Sequence, residues 1–183
     1  MLRDISHVLI SEERIRERVH AIGAQIAADF EGSHDDDSPL VLMPVMTGAL
    51  VFSADLIRHL PFKLKLELVA ISSYPGKSMA SKGAMMASEL PKDLEGKHVL
   101  IVDDILDSGH TIAVLKSLID EQSPASIKVC VMLEKQRNDG PPIAKADYVG
   151  FSIPDEFVVG YGLDYDGYYR NHPEIVTLRE DAL

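Results

Sequence analysis

Three carboxylates, two hydroxyls and a glycine crowd one stretch of the chain, Asp103-Asp104-Ile105-Leu106-Asp107-Ser108-Gly109-His110-Thr111. The apolar run Val99-Leu100-Ile101-Val102 before it reads as a buried strand, and Ile112, Leu115 and Ile119 (or Leu118) after it recur at helical spacing. The carboxylates therefore emerge from a strand end, and a helix begins just beyond them. A helix start offers unpaired N–H groups and the positive end of a dipole, which together suit an anion. Ser108 and Thr111 add hydroxyl donors, and Gly109 lets the backbone approach closely. Phosphate is the natural guest. The stretch is not a G-x-x-x-x-G-K-[ST] loop, so nothing in it is permanently positive. Asp103 and Asp104 would repel a phosphate unless ribose hydroxyls or a hard cation such as Mg²⁺ came between. The pattern asks for a ribose phosphate and a metal.

The elements that must position these residues follow from periodicity. Ile15, Val19, Ile22 and Ile26 mark one helix face, capped by Ser11, favoured by Glu12 and Glu13, and ended by Gly32. After a polar loop to Ser38, holding the acidic patch 35–37, Leu40 to Met46 reads as a buried strand made irregular by Pro44. Thr47-Gly48-Ala49 turns into a helix over Leu50 to His59 and so offers a second anion site. Leu64 to Ile71 reads as one strand. Ser72 to Leu90 is polar, Gly-containing and poor in core anchors, the character of a lid. His98 to Ile105 is a strand, His110 to Gln122 a helix, and Ile127 to Leu133 a further strand. Tyr148–Ile153, Phe157–Tyr161 and Ile175–Leu178 supply three short extended pieces. This alternation predicts an α/β fold, a doubly wound, mostly parallel sheet with helices on both faces. Ligands in such sheets bind at the carboxyl ends of the strands.

Composition narrows the classes. The chain has 183 residues, enough for one domain with its own core, and carries 18 basic and 29 acidic side chains, a net charge of −11. That balance argues against nucleic acid as a partner. A single cysteine, Cys130, excludes an intrachain disulfide framework and favours a reducing compartment; inside an apolar strand it reads as buried and inert. Seven histidines show no metal-ligand spacing. The first ten residues lack the apolar run of a signal peptide, and no stretch approaches a membrane span, so the expectation is a cytoplasmic protein without a membrane partner. A phosphoacceptor receiver domain also has an acidic pair and a strand-end lysine. Its pair should follow the first strand, however, and its acceptor a later one.

The 99–111 segment resembles the phosphoribosyl-pyrophosphate (PRPP) signature of type I phosphoribosyltransferases: four apolar residues, two acidic, two apolar, then Asp-Ser/Thr-Gly and Thr. Ile153-Pro154-Asp155-Glu156-Phe157-Val158-Val159-Gly160-Tyr161-Gly162-Leu163-Asp164-Tyr165, followed by Tyr169-Arg170, resembles the purine-binding end of the hypoxanthine-guanine branch. Two departures are Asp103, where that branch usually has Glu, and Thr47-Gly48-Ala49, where it usually has Lys- or Asn-Gly-Gly. The resemblance implies a single domain over 1–183 with a small hood from about 1–10 and 154–183. It implies Mg²⁺-dependent transfer of a phosphoribosyl group from PRPP to a free 6-oxopurine by a homodimer or homotetramer in purine salvage.

It also implies roles. Asp103 and Asp104 would position the sugar and its metal, and Asp164 a second Mg²⁺. Asp107 would take the proton from the purine; read alone, it serves equally as a helix cap. Asp107, Ser108, Gly109, His110 and Thr111 would hold the 5′-phosphate. Thr47, Gly48 and Arg170 would hold pyrophosphate, with a cis bond at Met46–Thr47. Lys135, just past the strand end, would contact the exocyclic oxygen of the base, Phe157 would stack on it, and the Val158 backbone would read its edge. Ser73 and Tyr74 would open the lid. A xanthine-preferring relative and an RNA-binding regulator of the same fold are the alternatives; residue types do not rank hypoxanthine, guanine and xanthine.

Overall fold

The computed structural model describes residues 2–32, 39–73, 84–86, 90–138 and 140–182, with 72–73 and 84–86 described by their backbone. A first strand, β1 (Ile5–Ile10), leads into α1 (Glu12–Phe30). The Ser11 hydroxyl accepts from the Arg14 N–H at 3.5 Å, and Glu12 and Glu13 occupy the first turn. Ile15, Val19, Ile22, Ile26 and Phe30 are buried along one face. At Gly23 that face meets the end of the next helix so closely that a Cβ would lie 2.5 Å from the His59 Cβ.

β2 (Leu40–Met46) is buried at every position but the last and is followed by α2 (Leu50–Leu56), whose final turn, Ile57–His59, tightens to a 3₁₀ helix. The stretch expected as one strand from 64 to 71 is two: β3 (Leu64–Leu66) and β4 (Val69–Ser73), which pair successively along the same edge of β2. The interruption is local. The Glu67 N–H still donates to the Leu42 carbonyl at 3.0 Å, and Leu68 is left exposed. β5 (Ala84–Met86) returns antiparallel to β4, pairing Ala84 with Ser73. Ser73 is thus the last residue of a strand, whereas Tyr74 and the rest of the expected lid to 83 lie outside the described residues.

β6 (His98–Leu106), α3 (His110–Asp120), β7 (Ser126–Gln136) and β8 (Tyr148–Pro154) complete the sheet. Its order is β5-β4-β2-β6-β7-β8, parallel except for β5. α1 and α2 bury their apolar residues against one face with Leu40, Leu42, Leu100 and Val102; α3 buries Ile112, Leu115 and Ile119 against the other with Val41, Val99 and Ile101. Alternation along β2 and β6 thus feeds two cores from one sheet.

A second, antiparallel sheet joins the two ends of the chain. β1 and β9 (Val158–Val159) flank β10 (Ile175–Leu178). The expected strand over 157–161 shortens to two residues, because Gly160 and Tyr161 turn with positive φ. Cys130 is buried in β7, and burial pushes its thiol well above the ordinary range. No described helix is long and apolar enough to cross a membrane.

Candidate active site

β6 is hydrogen-bonded on both sides, to β2 and β7, along the run that ends in the acidic pair. β6 is thus an interior strand of the sheet, paired along both edges. From its carboxyl end, Asp107, Ser108 and Gly109 turn the chain into α3. Gly109 has φ +81°, and a Cβ there would lie 2.8 Å from the Ala144 N. Only glycine fits that turn. The Ile143 N–H donates to the Ser108 carbonyl at 3.0 Å, tying the turn to the segment behind it. Ser108 Oγ lies 2.9 Å from His110 Nδ1. No side chain caps α3, so Asp107 is not its cap. The turn walls a cavity of about 310 Å³, to which Gly48, Asp103, Asp104 and residues 107–111 contribute.

Asp103 is 6% exposed, and its Oδ1 accepts from the Asp104 N–H at 3.0 Å. Burial, reinforced by the neighbouring Asp104 charge, holds the Asp103 carboxyl well above the usual carboxylate range. Asp104 is raised as well, by burial, against the lowering effects of hydrogen bonds and the Arg170 charge. Two adjacent acids, one buried and one half-buried, that resist ionising together are stabilised by a cation, and an all-oxygen donor set suits a hard one. The described residues bring no third His, Cys, Asp or Glu into a ligand cluster with them. Asp164 is therefore not gathered with Asp103 and Asp104 into one cage. The arrangement fits Mg²⁺, which is commonly held by one or two carboxylates with the substrate supplying the rest.

A second cavity, of about 280 Å³, adjoins the first. Asp104, Asp107, Lys135, Phe157, Val158 and Asp164 line it. Asp104 and Asp107 belong to both cavities. Val158 is buried in β9, while Phe157 is 44% exposed and meets the Tyr165 ring edge-on at 5.5 Å. Arg170 is paired with Asp164 at 2.6 Å and donates to the Gly162 carbonyl at 2.6 Å. It lines neither cavity, although its charge reaches Asp104.

A phosphoribosyl transferase domain model matches residues 13–166, most of the chain. The chain belongs to the phosphoribosyltransferase family. It is 41% identical over 179 residues to hypoxanthine-guanine phosphoribosyltransferase of Bacillus subtilis, covering 98% of this chain and 96% of that one. The corresponding enzyme of Mycobacterium avium is 40% identical over 177 residues, 96% of this chain and 86% of its own. Among solved structures, hypoxanthine phosphoribosyltransferase of Trypanosoma cruzi superposes with a TM-score of 0.89 at 38% identity, covering 97% of this chain and 93% of that one.

In this phosphoribosyltransferase the Met46–Thr47 peptide is cis, and Gly48 lies in contact with Asp104. Thr47 itself is exposed, and α2 is only seven residues long without a side-chain cap. A full helix dipole, as expected at Thr47-Gly48, is therefore not what the loop supplies; it supplies close backbone approach. Lys135 lies inside β7, not beyond its end, with Nζ 3.6 Å from Asp107 and 3.4 Å from Asp155. Arg137 donates to the Asp107 carboxylate. Neither Arg137 nor Asp155 stands out in sequence. The one available signal is the spacing of 135 and 137, two apart past an apolar run, which puts both on one face if the strand continues.

Proposed function

We propose that this phosphoribosyltransferase transfers the 5-phosphoribosyl group of PRPP to hypoxanthine or guanine, giving IMP or GMP and pyrophosphate, with Mg²⁺ as its cofactor. The observation that carries this reading is the pair of adjoining cavities sharing Asp104 and Asp107. One is walled by a phosphate-type turn, the other by a lysine, an exposed aromatic ring and a buried backbone edge. A sugar held between them would present its anomeric carbon to the base. Bound Mg²⁺ supplies positive charge for the departing pyrophosphate.

The chain's own residues do the rest. The amides and hydroxyls of 107–111 hold the 5′-phosphate, and Asp103 and Asp104 accept from the ribose hydroxyls and hold the metal. Asp107, on the wall common to both cavities, takes the proton from the purine ring nitrogen as the glycosidic bond forms. Lys135 donates to the 6-oxo group; an amino group there could not accept, which disfavours adenine. Phe157 stacks on the base, Val158 reads its edge, and Asp164 holds a second metal. Gly48 and Thr47, with Arg170 released from Asp164, bind pyrophosphate. Ser73 and Tyr74 begin the lid. The sheet of β1, β9 and β10 is the hood of a single domain spanning 1–183.

The relatives named above and the charge of −11 favour this reading over a xanthine-preferring enzyme or an RNA-binding regulator. A buried, unpaired Cys130 supports a cytoplasmic location. Exposed Leu50, Leu66 and Leu68 around an apolar hollow support a homodimer or homotetramer. The test is a spectrophotometric assay with PRPP, Mg²⁺ and hypoxanthine, guanine, xanthine, adenine or uracil in turn, with and without EDTA. Turnover with the first two, abolished by EDTA and restored by Mg²⁺, is expected. Turnover with xanthine alone, or with none, would overturn the reading.

A further inference from the structure

In the parallel register of β6, β7 and β8, Leu106 pairs with Glu134 and Lys135 with Ile153. Asp107, Lys135 and Asp155 therefore stand side by side where the three strands end, and their charges alternate. The Lys135 Nζ lies 3.6 Å from Asp107 Oδ2 and 3.4 Å from Asp155 Oδ1. Arg137, just past the end of β7, extends the row: its Nη1 donates to Asp107 Oδ1. The two oxygens of Asp107 thus meet different cations. Lys135 lines the base cavity together with Asp107, whereas Arg137 lines neither active-site cavity. Arg137 grips from behind a residue that both cavities share.

We propose that Arg137 is a positioning residue for the proton transfer, holding Asp107 Oδ1 from outside the cavities so that Oδ2 is the oxygen presented to the purine. The inference rests on the reading of Asp107 and Lys135 given above. When Lys135 donates to the 6-oxo group, its ammonium is withdrawn from Oδ2, which is then open to accept the purine proton. Arg137 meanwhile keeps a counter-charge on Oδ1, so the carboxylate does not follow Lys135. A guanidinium stays charged at every working pH, and its planar fork fixes direction as well as charge. Without it, the carboxylate is free to turn, and Lys135 is drawn toward it and away from the base.

The experiment is steady-state kinetics of the native chain, Arg137→Gln and Arg137→Lys with hypoxanthine and PRPP, with circular dichroism to confirm folding. Arg137→Gln is expected to lower kcat about tenfold and to raise KM for hypoxanthine, while KM for PRPP stays unchanged. Arg137→Lys, which keeps the charge without the fork, should recover part of the loss. In the residual activity of Asp107→Asn, adding Arg137→Gln should cost nothing further, because the carboxylate it holds is gone. An equal loss in that background would overturn the assignment, as would a parallel rise in KM for PRPP. No turnover by the native chain would overturn the reading of the reaction and this role with it. Native turnover with kcat and KM unchanged in Arg137→Gln would overturn this role alone.

Discussion

Gly48 lies against Asp104 so closely that a Cβ at position 48 would sit 1.8 Å from the Asp104 Oδ2. On the other side of the same residue, a Cβ at Gly162 would sit 2.2 Å from the Gly48 carbonyl oxygen. The loop after β2 is thus clasped between the acid of the central strand and the turn that leads to Asp164. Both neighbours are fixed, one in β6 and one by the Arg170 contact to its carbonyl. Any side chain at 48 must displace the carboxylate.

Gly48→Ala is accordingly expected to leave the fold intact and to lower turnover about a hundredfold, the scale of a misplacement near 1 Å at a reacting centre. Circular dichroism and the assay with hypoxanthine check the two halves. Native-like turnover would show that the position of the Asp104 carboxylate does not matter to the reaction.

Asp107 is paired with Lys135 and Arg137 and is reached from both active-site cavities. Asp107→Asn keeps the shape and removes the proton acceptor. Turnover should fall by about a hundredfold or more while PRPP affinity changes little. Equal losses in affinity and turnover would instead mark Asp107 as part of the sugar-phosphate grip.

Lys135→Met removes the ammonium group that faces the base cavity but keeps its apolar stem. Loss of a charged hydrogen bond to the 6-oxo group should cost kcat/KM for hypoxanthine about tenfold to a hundredfold. The same variant relieves Asp155 and Asp107 of one partner, so thermal stability is measured alongside. An unchanged kcat/KM would rule out the contact.

How much of this was legible in sequence depended on whether a signal was local. The acid pair, the turn through Gly109 and the first residues of α3 form one continuous segment, so strand pattern and turn chemistry located them together. The first helix was equally plain, since Ile15, Val19, Ile22 and Ile26 repeat on one face. What escaped depends on contacts between distant residues. β1 has three exposed residues in a row, Ser6 to Val8, and exists because Ile5 to Ile10 pairs with Leu178 to Ile175 across the whole chain. The partners of Lys135 lie 28 residues before and 20 after it, beyond any spacing rule. The break at Glu67 and Leu68 carries no glycine or proline, and the apolar pattern runs straight through it.

A three-membered latch away from the active site sets a pH-dependent stability. The Tyr148 hydroxyl donates to Asp29 at 2.7 Å, and Lys128 donates to Asp29 at 2.9 Å and to the Tyr148 oxygen at 3.0 Å. It joins the last turns of α1 to β7 and β8. Burial, chiefly, raises Tyr148 from 10.0 to about 12, and Lys128 is raised by its bond to Asp29. Both groups bind protons more tightly folded than unfolded. The stabilisation from Tyr148 is complete below pH 10.0 and is lost as pH climbs toward about 12, with about 2 kcal/mol at stake, and that from Lys128 is lost in the same direction, as pH rises above the ordinary lysine range. Asp29 acts in the opposite direction: Lys128 lowers it, so its contribution is present above the ordinary aspartate range and lost as pH falls below it. Urea unfolding across this range should show stability declining between pH 10.0 and about 12 for the native chain, and declining less for Tyr148→Phe. Parallel curves for the two proteins would place the alkaline sensitivity elsewhere in the molecule.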